Sequence, residues 1–159
     1  MAVLRPFKGF RPPVDKVKDV ASRPYDVLNS KEARAEVEGN PHSFLHVVKP
    51  EVDLDESVDL HAQEVYDKAK DNLDKLIKDG FFIQDEKAIL YVYAQTMFGK
   101  TQYGIVGCAS VEDYMKEVIK KHELTRPDKE EDRMNHIRYS NFNAEPVFFA
   151  YPDHKGVDE

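Results

Sequence analysis

The sequence predicts an α+β fold, in which a small sheet, mixed or mostly antiparallel, is built around a central hairpin with helices on its flanks. Two observations favour it. Apolar residues recur at helical spacing between Val65 and Ile77, and two strand-like runs within residues 88–110 are separated by a short turn. With 159 residues and 41% hydrophobic composition, the chain can bury one sizeable core. We therefore predict a single domain over residues 1–152 and a polar tail over residues 153–159.

The N-terminal part is predicted to hold loops, short strands and one short helix. Strands are expected around residues 7–10 and around Val27. Asn29 or Ser30 can cap a helix that Gly39 ends.

Asp26 lies next to Tyr25 in this region, where Pro24 keeps the preceding Arg23 extended. A tyrosine beside an aspartate indicates a fixed polar turn. An Asx-type turn that caps the next element of the chain is one interpretation of Asp26, and a site role is the other.

His46 lies in the run Phe44–Val48, which is predicted to be a strand after a turn at residues 40–43. Strand alternation would place Phe44, His46 and Val48 on one face. A histidine among apolar neighbours is usually a core residue with satisfied hydrogen bonds, and a site role is again the alternative.

The clearest helix comes after an acidic segment, carries its apolar stripe between Val65 and Ile77, and ends at Gly80. We interpret it as scaffold with an exposed acidic face. The hairpin then pairs residues 88–97 with residues 101–110. Gly107, like Gly104, leaves bare backbone for a bulge or for close approach by another element.

The remaining predicted elements come after the hairpin. Ser110 with Asp113 caps a helix whose apolar stripe extends over residues 111–119, and residues 146–151 form a last strand. The single cysteine, Cys108, lies in an apolar run and is interpreted as an inert core thiol.

The net charge of −7 excludes some functions. Residues 51–87 hold twelve acidic and five basic side chains, which account for the whole excess, so a generic nucleic-acid surface is not expected. Scattered histidines and one cysteine argue against zinc. No apolar run is long enough to span a membrane, and no secretory signal is recognisable, so a cytoplasmic location is the default.

The stretch from His122 to His136 is the best candidate for chemistry. Thr125 is a suitable N-cap, with Asp128 completing a capping box, for a helix that would run to about Tyr139. Four basic side chains at spacings of three and four share one face of that helix: Arg126, Lys129, Arg133 and His136. A basic stripe at a helix N-terminus can hold a phosphate. A solvated helix with local ion pairs is the alternative.

Four segments together resemble one family. They are Leu4-Arg-Pro-Phe-Lys-Gly-Phe-Arg-Pro-Pro13, Ser22-Arg-Pro-Tyr-Asp-Val27, Gly39-Asn-Pro-His-Ser-Phe-Leu-His46 and His122-Glu-Leu-Thr-Arg-Pro-Asp-Lys-Glu-Glu-Asp-Arg133. The family is domain-of-unknown-function family 1015, whose members are usually more than twice this long, so the chain resembles an N-terminal portion. The resemblance implies a distant relationship to the ParB/sulfiredoxin-like fold and to the free-serine kinases that use it.

The resemblance also implies a site in which phosphate is transferred to a small hydroxyl compound. It assigns Asp26 and His122 to catalysis, Thr125, Arg126, Lys129 and Arg133 to phosphate or nucleotide binding, and Tyr25, Asn40 and His46 to the lining of the cleft. ATP or ADP with magnesium is the implied cofactor, with Glu123 as a weak candidate ligand of the metal. No metal cluster is expected.

Two other functions stay open. The same residues suit a module that senses a nucleotide or a phosphorylated metabolite without catalysis. A ParB-like nucleic-acid binder is permitted by the implied fold but disfavoured by the acidic charge balance. The sequence leaves the oligomeric state open.

Overall fold

The computed structural model describes residues 2–121, 125–152 and 155–158, and the fold is α+β, as predicted. The helices are α1 (Val17–Val20), α2 (Ser30–Val37), α3 (Leu45–Val48), α4 (Gln63–Lys78), α5 (Val111–Met115), α6 (Pro127–Ser140) and α7 (Lys155–Asp158). The strands are β1 (Leu4–Arg5), β2 (Phe10–Arg11), β3 (Ile83–Gln84), β4 (Tyr91–Met97), β5 (Lys100–Val106) and β6 (Cys108–Ala109).

The described strands form three two-stranded antiparallel ladders. β1 pairs with β6, β2 pairs with β3, and β4 pairs with β5 in the predicted hairpin, with Tyr91 opposite Val106. A further bridge joins Phe7 to Ile89. The segment before residue 12 is therefore held along its length by residues from the middle of the chain.

Tyr91 joins the hairpin to the N-terminal segment. Its hydroxyl accepts a hydrogen bond from the Gly9 amide (2.7 Å) and donates one to Asp85 (2.7 Å). Asp85 in turn pairs with the Arg11 guanidinium at 2.8 Å. One phenol and one carboxylate thus fix three segments against each other.

The two glycines of the hairpin differ in role. A Cβ at Gly107 would lie 2.7 Å from Leu90 Cδ2 and 2.8 Å from Leu4 Cγ, so this glycine permits the predicted close approach. A Cβ at Gly104 would meet nothing within 4 Å. The neighbouring Cys108 is exposed, so its assignment as a core thiol was wrong; it lies in β6, which pairs only with β1 among the described strands and belongs to neither core cluster.

The core lies between the helices and not on the hairpin. One cluster holds Leu28, Ala33, Leu45, Val48 and Val52, and a second holds Val20, Val47, Leu76 and Phe82. The predicted helix α4 buries four side chains: Val65, Tyr66, Ala69 and Leu76. α4 packs against both α3 and α6, and is therefore the central element of the helical part.

Two of the predicted helix caps are present. Asn29 and Glu32 form a full capping box at the start of α2, with reciprocal bonds of 2.9 Å. Ser110 accepts from the Asp113 amide at the start of α5. α5 ends at Met115, earlier than its apolar stripe, because Glu117 takes a left-handed conformation with φ of 58°.

Three predicted strands are wrong. Phe44–Val48 contains the short helix α3, in which Leu45, Val47 and Val48 are all buried. In a strand, alternate side chains would have been exposed on one face, whereas this segment contributes side chains to both core clusters. Val27 lies in a 3₁₀ turn, and residues 146–151 join no strand ladder.

Candidate functional site

The N-terminus of α6 is exposed and basic. Its N-cap is Arg126, with Pro127 in the first turn, so the predicted Thr125–Asp128 capping box is absent. Asp128 instead accepts hydrogen bonds from the Arg126 guanidinium, the shorter at 2.7 Å. Thr125 and Lys129 are exposed and form no hydrogen bond or ion pair with another described side chain. This end of the helix remains open to solvent and to a ligand.

The side chains of the predicted basic stripe differ in exposure along α6. His136, near its other end, is buried and donates from Nε2 to the Val47 carbonyl at 3.2 Å. Burial, together with the positive charge of Arg133, lowers the pKa of His136. His136 is therefore a neutral structural residue, and the exposed part of the stripe is its N-terminal half.

Arg133 lies at the centre of an ion cluster, which we call the Arg133 cluster and define as Tyr25, Asp132, Arg133 and Glu145. Nη1 of Arg133 donates to both Glu145 oxygens at 3.1 Å, and Nη2 donates to Asp132 at 2.7 Å. The guanidinium carbon lies 4.5 Å from the centre of the Tyr25 ring. The cluster therefore joins α6 to the turn Tyr25–Val27 and to the segment after α6.

Burial and charge act in opposite directions within the cluster. Burial raises the pKa of Glu145, and the Arg133 charge only partly offsets this effect. Burial also opposes ionisation of Asp132, but hydrogen bonds from Arg133 and Tyr66 outweigh it and lower the pKa of Asp132. Burial and the bond to Asp132 raise the pKa of Tyr66 to about 12. The two carboxylates differ, and Glu145 is the one that binds a proton more readily.

Asp26 lies beside this cluster and is exposed. Burial is the main cause of the raised pKa values of Tyr25 and Glu145, and the Asp26 charge adds to both, so its carboxylate is within electrostatic range of them. No hydrogen bond joins its side chain to a described residue, and Asn29, not Asp26, caps α2. The structure thus brings Tyr25, Asp26 and Arg133 together.

Asn40 and His46 lie at a different place. His46 Nδ1 donates to Asp53 at 2.9 Å, and its Nε2 donates to the Asn40 carbonyl at 3.1 Å. Asn72 of α4 donates to the same aspartate and to the His46 carbonyl, both at 2.7 Å. Since both ring nitrogens face oxygen acceptors, the doubly protonated imidazolium satisfies both bonds.

We expect this imidazolium to make stability depend on pH. The hydrogen bond to Asp53 raises the pKa of His46 despite burial, so its stabilisation is complete below about pH 6.5, the ordinary pKa of histidine, and is lost as pH rises through the raised folded value. The partner Asp53 has a lowered pKa, so its own contribution persists above about pH 4 and is lost in acid.

The measurement is urea unfolding at pH 6 and at pH 9. His46→Gln, neutral at every pH, should lower the free energy of unfolding by on the order of 1 kcal/mol more at pH 6 than at pH 9. Equal losses at the two pH values would contradict the ionised state of His46.

His46 also lines a cleft of about 260 Å³ between α3 and α4, and none of Tyr25, Asp26 and Arg133 lines it. The cleft receives Lys68 and Lys75 from α4, the helix interpreted as scaffold without chemistry. Sequence reasoning missed these lysines because their positions toward His46 depend on how α3 packs on α4.

Two other members of the assigned site lie outside the described residues, namely His122 and Glu123. Among the residues that the structure describes, no group of three or more His, Cys, Asp or Glu side chains is arranged to hold a metal ion. Within those same ranges, no helix combines the length and apolar character needed to cross a bilayer.

The fold and the clusters define an α+β domain with an arginine-centred ion cluster, an open basic helix end and a separate polar cleft. The family described as "Protein of unknown function (DUF1015)" matches residues 4–159, nearly the whole chain, and the chain belongs to it. No curated protein and no solved structure matches the chain.

Proposed function

We propose that this domain binds a nucleotide or a small phosphorylated ligand at the N-terminus of α6. The observation that carries the proposal is the stacking of Arg133 of α6, one turn along the helix from Lys129, on Tyr25, which holds the turn that contains Asp26 against this helix. An exposed carboxylate on a turn that packs against a helix with a basic N-terminal end suits phosphoryl transfer to a hydroxyl, such as that of free serine.

The phosphate contacts come from the first turn of α6. The helix dipole favours an anion there, and Lys129 adds a charge that forms no ion pair with a described residue. Arg126 is paired with Asp128, but exposed ion pairs of this kind contribute little to stability, so a phosphate can replace the carboxylate. This end of the helix can therefore offer two cationic side chains.

Asp26 acts in this proposal as the group that orients or deprotonates the acceptor hydroxyl. The stacking of Arg133 on Tyr25 holds the turn that carries Asp26. Asp132 and Glu145 do not offer a magnesium site, because both already accept from Arg133, and no described group of three or more His, Cys, Asp or Glu side chains could hold the ion. Magnesium would therefore arrive with the nucleotide.

A relationship to the ParB/sulfiredoxin-like fold and its free-serine kinases, suggested by the four sequence segments, belongs to this proposal, as does a cytoplasmic location. The α+β architecture supports it only at the level of fold class.

We expect a thermal-shift screen with ATP, ADP, CTP and phosphoserine, with and without magnesium, to show at least one stabilising ligand. Lys129→Ala and Arg126→Ala should each weaken that ligand about tenfold, since each removes a charge-assisted contact. Arg138→Ala, at the other end of the same helix, is the matched control. Equal affinities in all three variants would exclude the helix end as the phosphate site.

A sensing module without catalysis is the second candidate, favoured by the involvement of Arg133 in structural contacts. Asp26→Asn separates the two functions. It should remove turnover and spare binding in an enzyme, whereas a sensor shows ligand binding and no turnover in either form. Retention of labelled DNA on a filter at low salt would instead reveal a ParB-like nucleic-acid binder.

A further inference from the structure

The cleft between α3 and α4 is lined mainly by polar side chains from these two helices and from the segments before and after α3. Its volume is about 260 Å³, the size of a small metabolite. α4 supplies Lys68, Asn72 and Lys75, with Asp79 at its end, and the other wall carries His42 and His46. The His42 ring stacks on Phe81 with ring centres 3.6 Å apart, which fixes one flat wall.

Lys68 and Lys75 lie on the same side of α4, where one ligand could contact both. At about 100° per residue, Lys68 and Lys75 share nearly one angular position on α4, two turns apart and opposite the side where Tyr66 contacts α6. Neither ammonium forms an ion pair with a described residue, whereas Lys70 on the outer surface of the same helix pairs with Asp74 at 2.6 Å. Two of the five basic residues in the acidic segment 51–87 therefore line this cleft without forming an ion pair among the described side chains.

The acidic groups of the cleft do not cancel this charge. Asp53 accepts hydrogen bonds from His46 and Asn72, and it attracts the Lys68 charge without forming an ion pair with it. With His46 ionised, the cleft holds three positive groups, Lys68, Lys75 and His46, against two negative ones, Asp53 and Asp79. The net charge of the cleft lining is thus positive and attracts an anion, and hydrogen bonds hold His46, Asp53 and Asn72 in place.

We propose that this cleft binds a small organic anion with an acidic group at each end, such as a short dicarboxylate or a phosphorylated carboxylic acid. The lysine backbones are about 10 Å apart along the helix axis, which lets their flexible side chains hold the two ends of a short carbon chain. The site shares no residue with the α6 helix end and does not depend on the function proposed there.

The test is calorimetric titration with succinate and phosphoglycolate, and with acetate as a single-charge comparison. The dianions should bind saturably and at least tenfold more tightly than acetate, and Lys68→Ala and Lys75→Ala should each weaken them about tenfold. Lys70→Ala and Lys78→Ala, on the same helix outside the cleft, should leave the affinity within twofold.

Amide chemical-shift mapping locates the ligand independently of any variant. Changes concentrated in residues 41–46 and 68–79 support the cleft, and Lys129→Ala should leave them unaltered. Absent saturation, equal weakening by Lys78→Ala, or shifts confined to residues 126–133 would each overturn the proposal. If the function proposed at the helix end of α6 fails, no shift changes appear in residues 126–133, whereas those in the cleft remain.

Discussion

Replacing Arg133 with methionine is expected to lower the free energy of unfolding by about 2 kcal/mol. Methionine keeps much of the aliphatic contact but leaves Asp132 and Glu145 without their cation. Loss of one partner from a fully buried ion pair costs roughly 3–5 kcal/mol, and the 30% exposure of the Arg133 side chain reduces this value. Urea unfolding at pH 7 measures the change.

Two variants make this expectation specific. Arg138→Met removes an exposed charge from the same helix and should change stability by less than about 0.5 kcal/mol. Adding Glu145→Gln to Arg133→Met should recover part of the loss, because the neutral amide no longer needs the guanidinium. If the two substitutions are fully additive, Arg133 and Glu145 are not coupled as the geometry requires.

Leu45→Ala is expected to have the largest effect, a loss of about 2–5 kcal/mol in the free energy of unfolding. Leu45 is fully buried in the core cluster that joins α2 and α3, and its removal leaves a cavity. Chemical denaturation with a constant m-value gives the measurement. Leu60→Ala, at an exposed leucine, is the control, and a loss at Leu45 no larger than the control would show that α3 is not part of the core.

The elements with strong local signals could be predicted from the sequence. α2 has a capping box at Asn29, α4 has a long apolar stripe, and the hairpin has two β-rich runs around a tight turn. Each signal lies within the element that it predicts. The segment Leu45–Val48 lacks such a signal, because a short run of mostly apolar side chains fits a buried helical turn as well as a strand.

Some residues of the candidate site could likewise be recognised from local sequence, and others could not. Arg126, Lys129 and Arg133 could be recognised because they share one helix face. Glu145 could not, since its contact with Arg133 depends on the chain reversing after Asn141, which ends α6 with a φ of 59°. Lys68 and Lys75 resemble ordinary surface charges of an acidic helix, because nothing local shows that α3 places His46 opposite them.

The pairing of the residues before position 12 has a consequence for the order of folding. The Val3 amide binds Asp113, which lies 110 residues further along the chain, and Gly9 binds Tyr91 across 82 residues. Synthesis adds roughly 5–20 residues per second, so the start of the chain leaves the ribosome roughly 5–20 s before its last partner is made. α2, α3 and α4 need no such delay. The core formed by α2, α3 and α4 can therefore assemble before the leading segment docks, since that docking waits for residues 83–113.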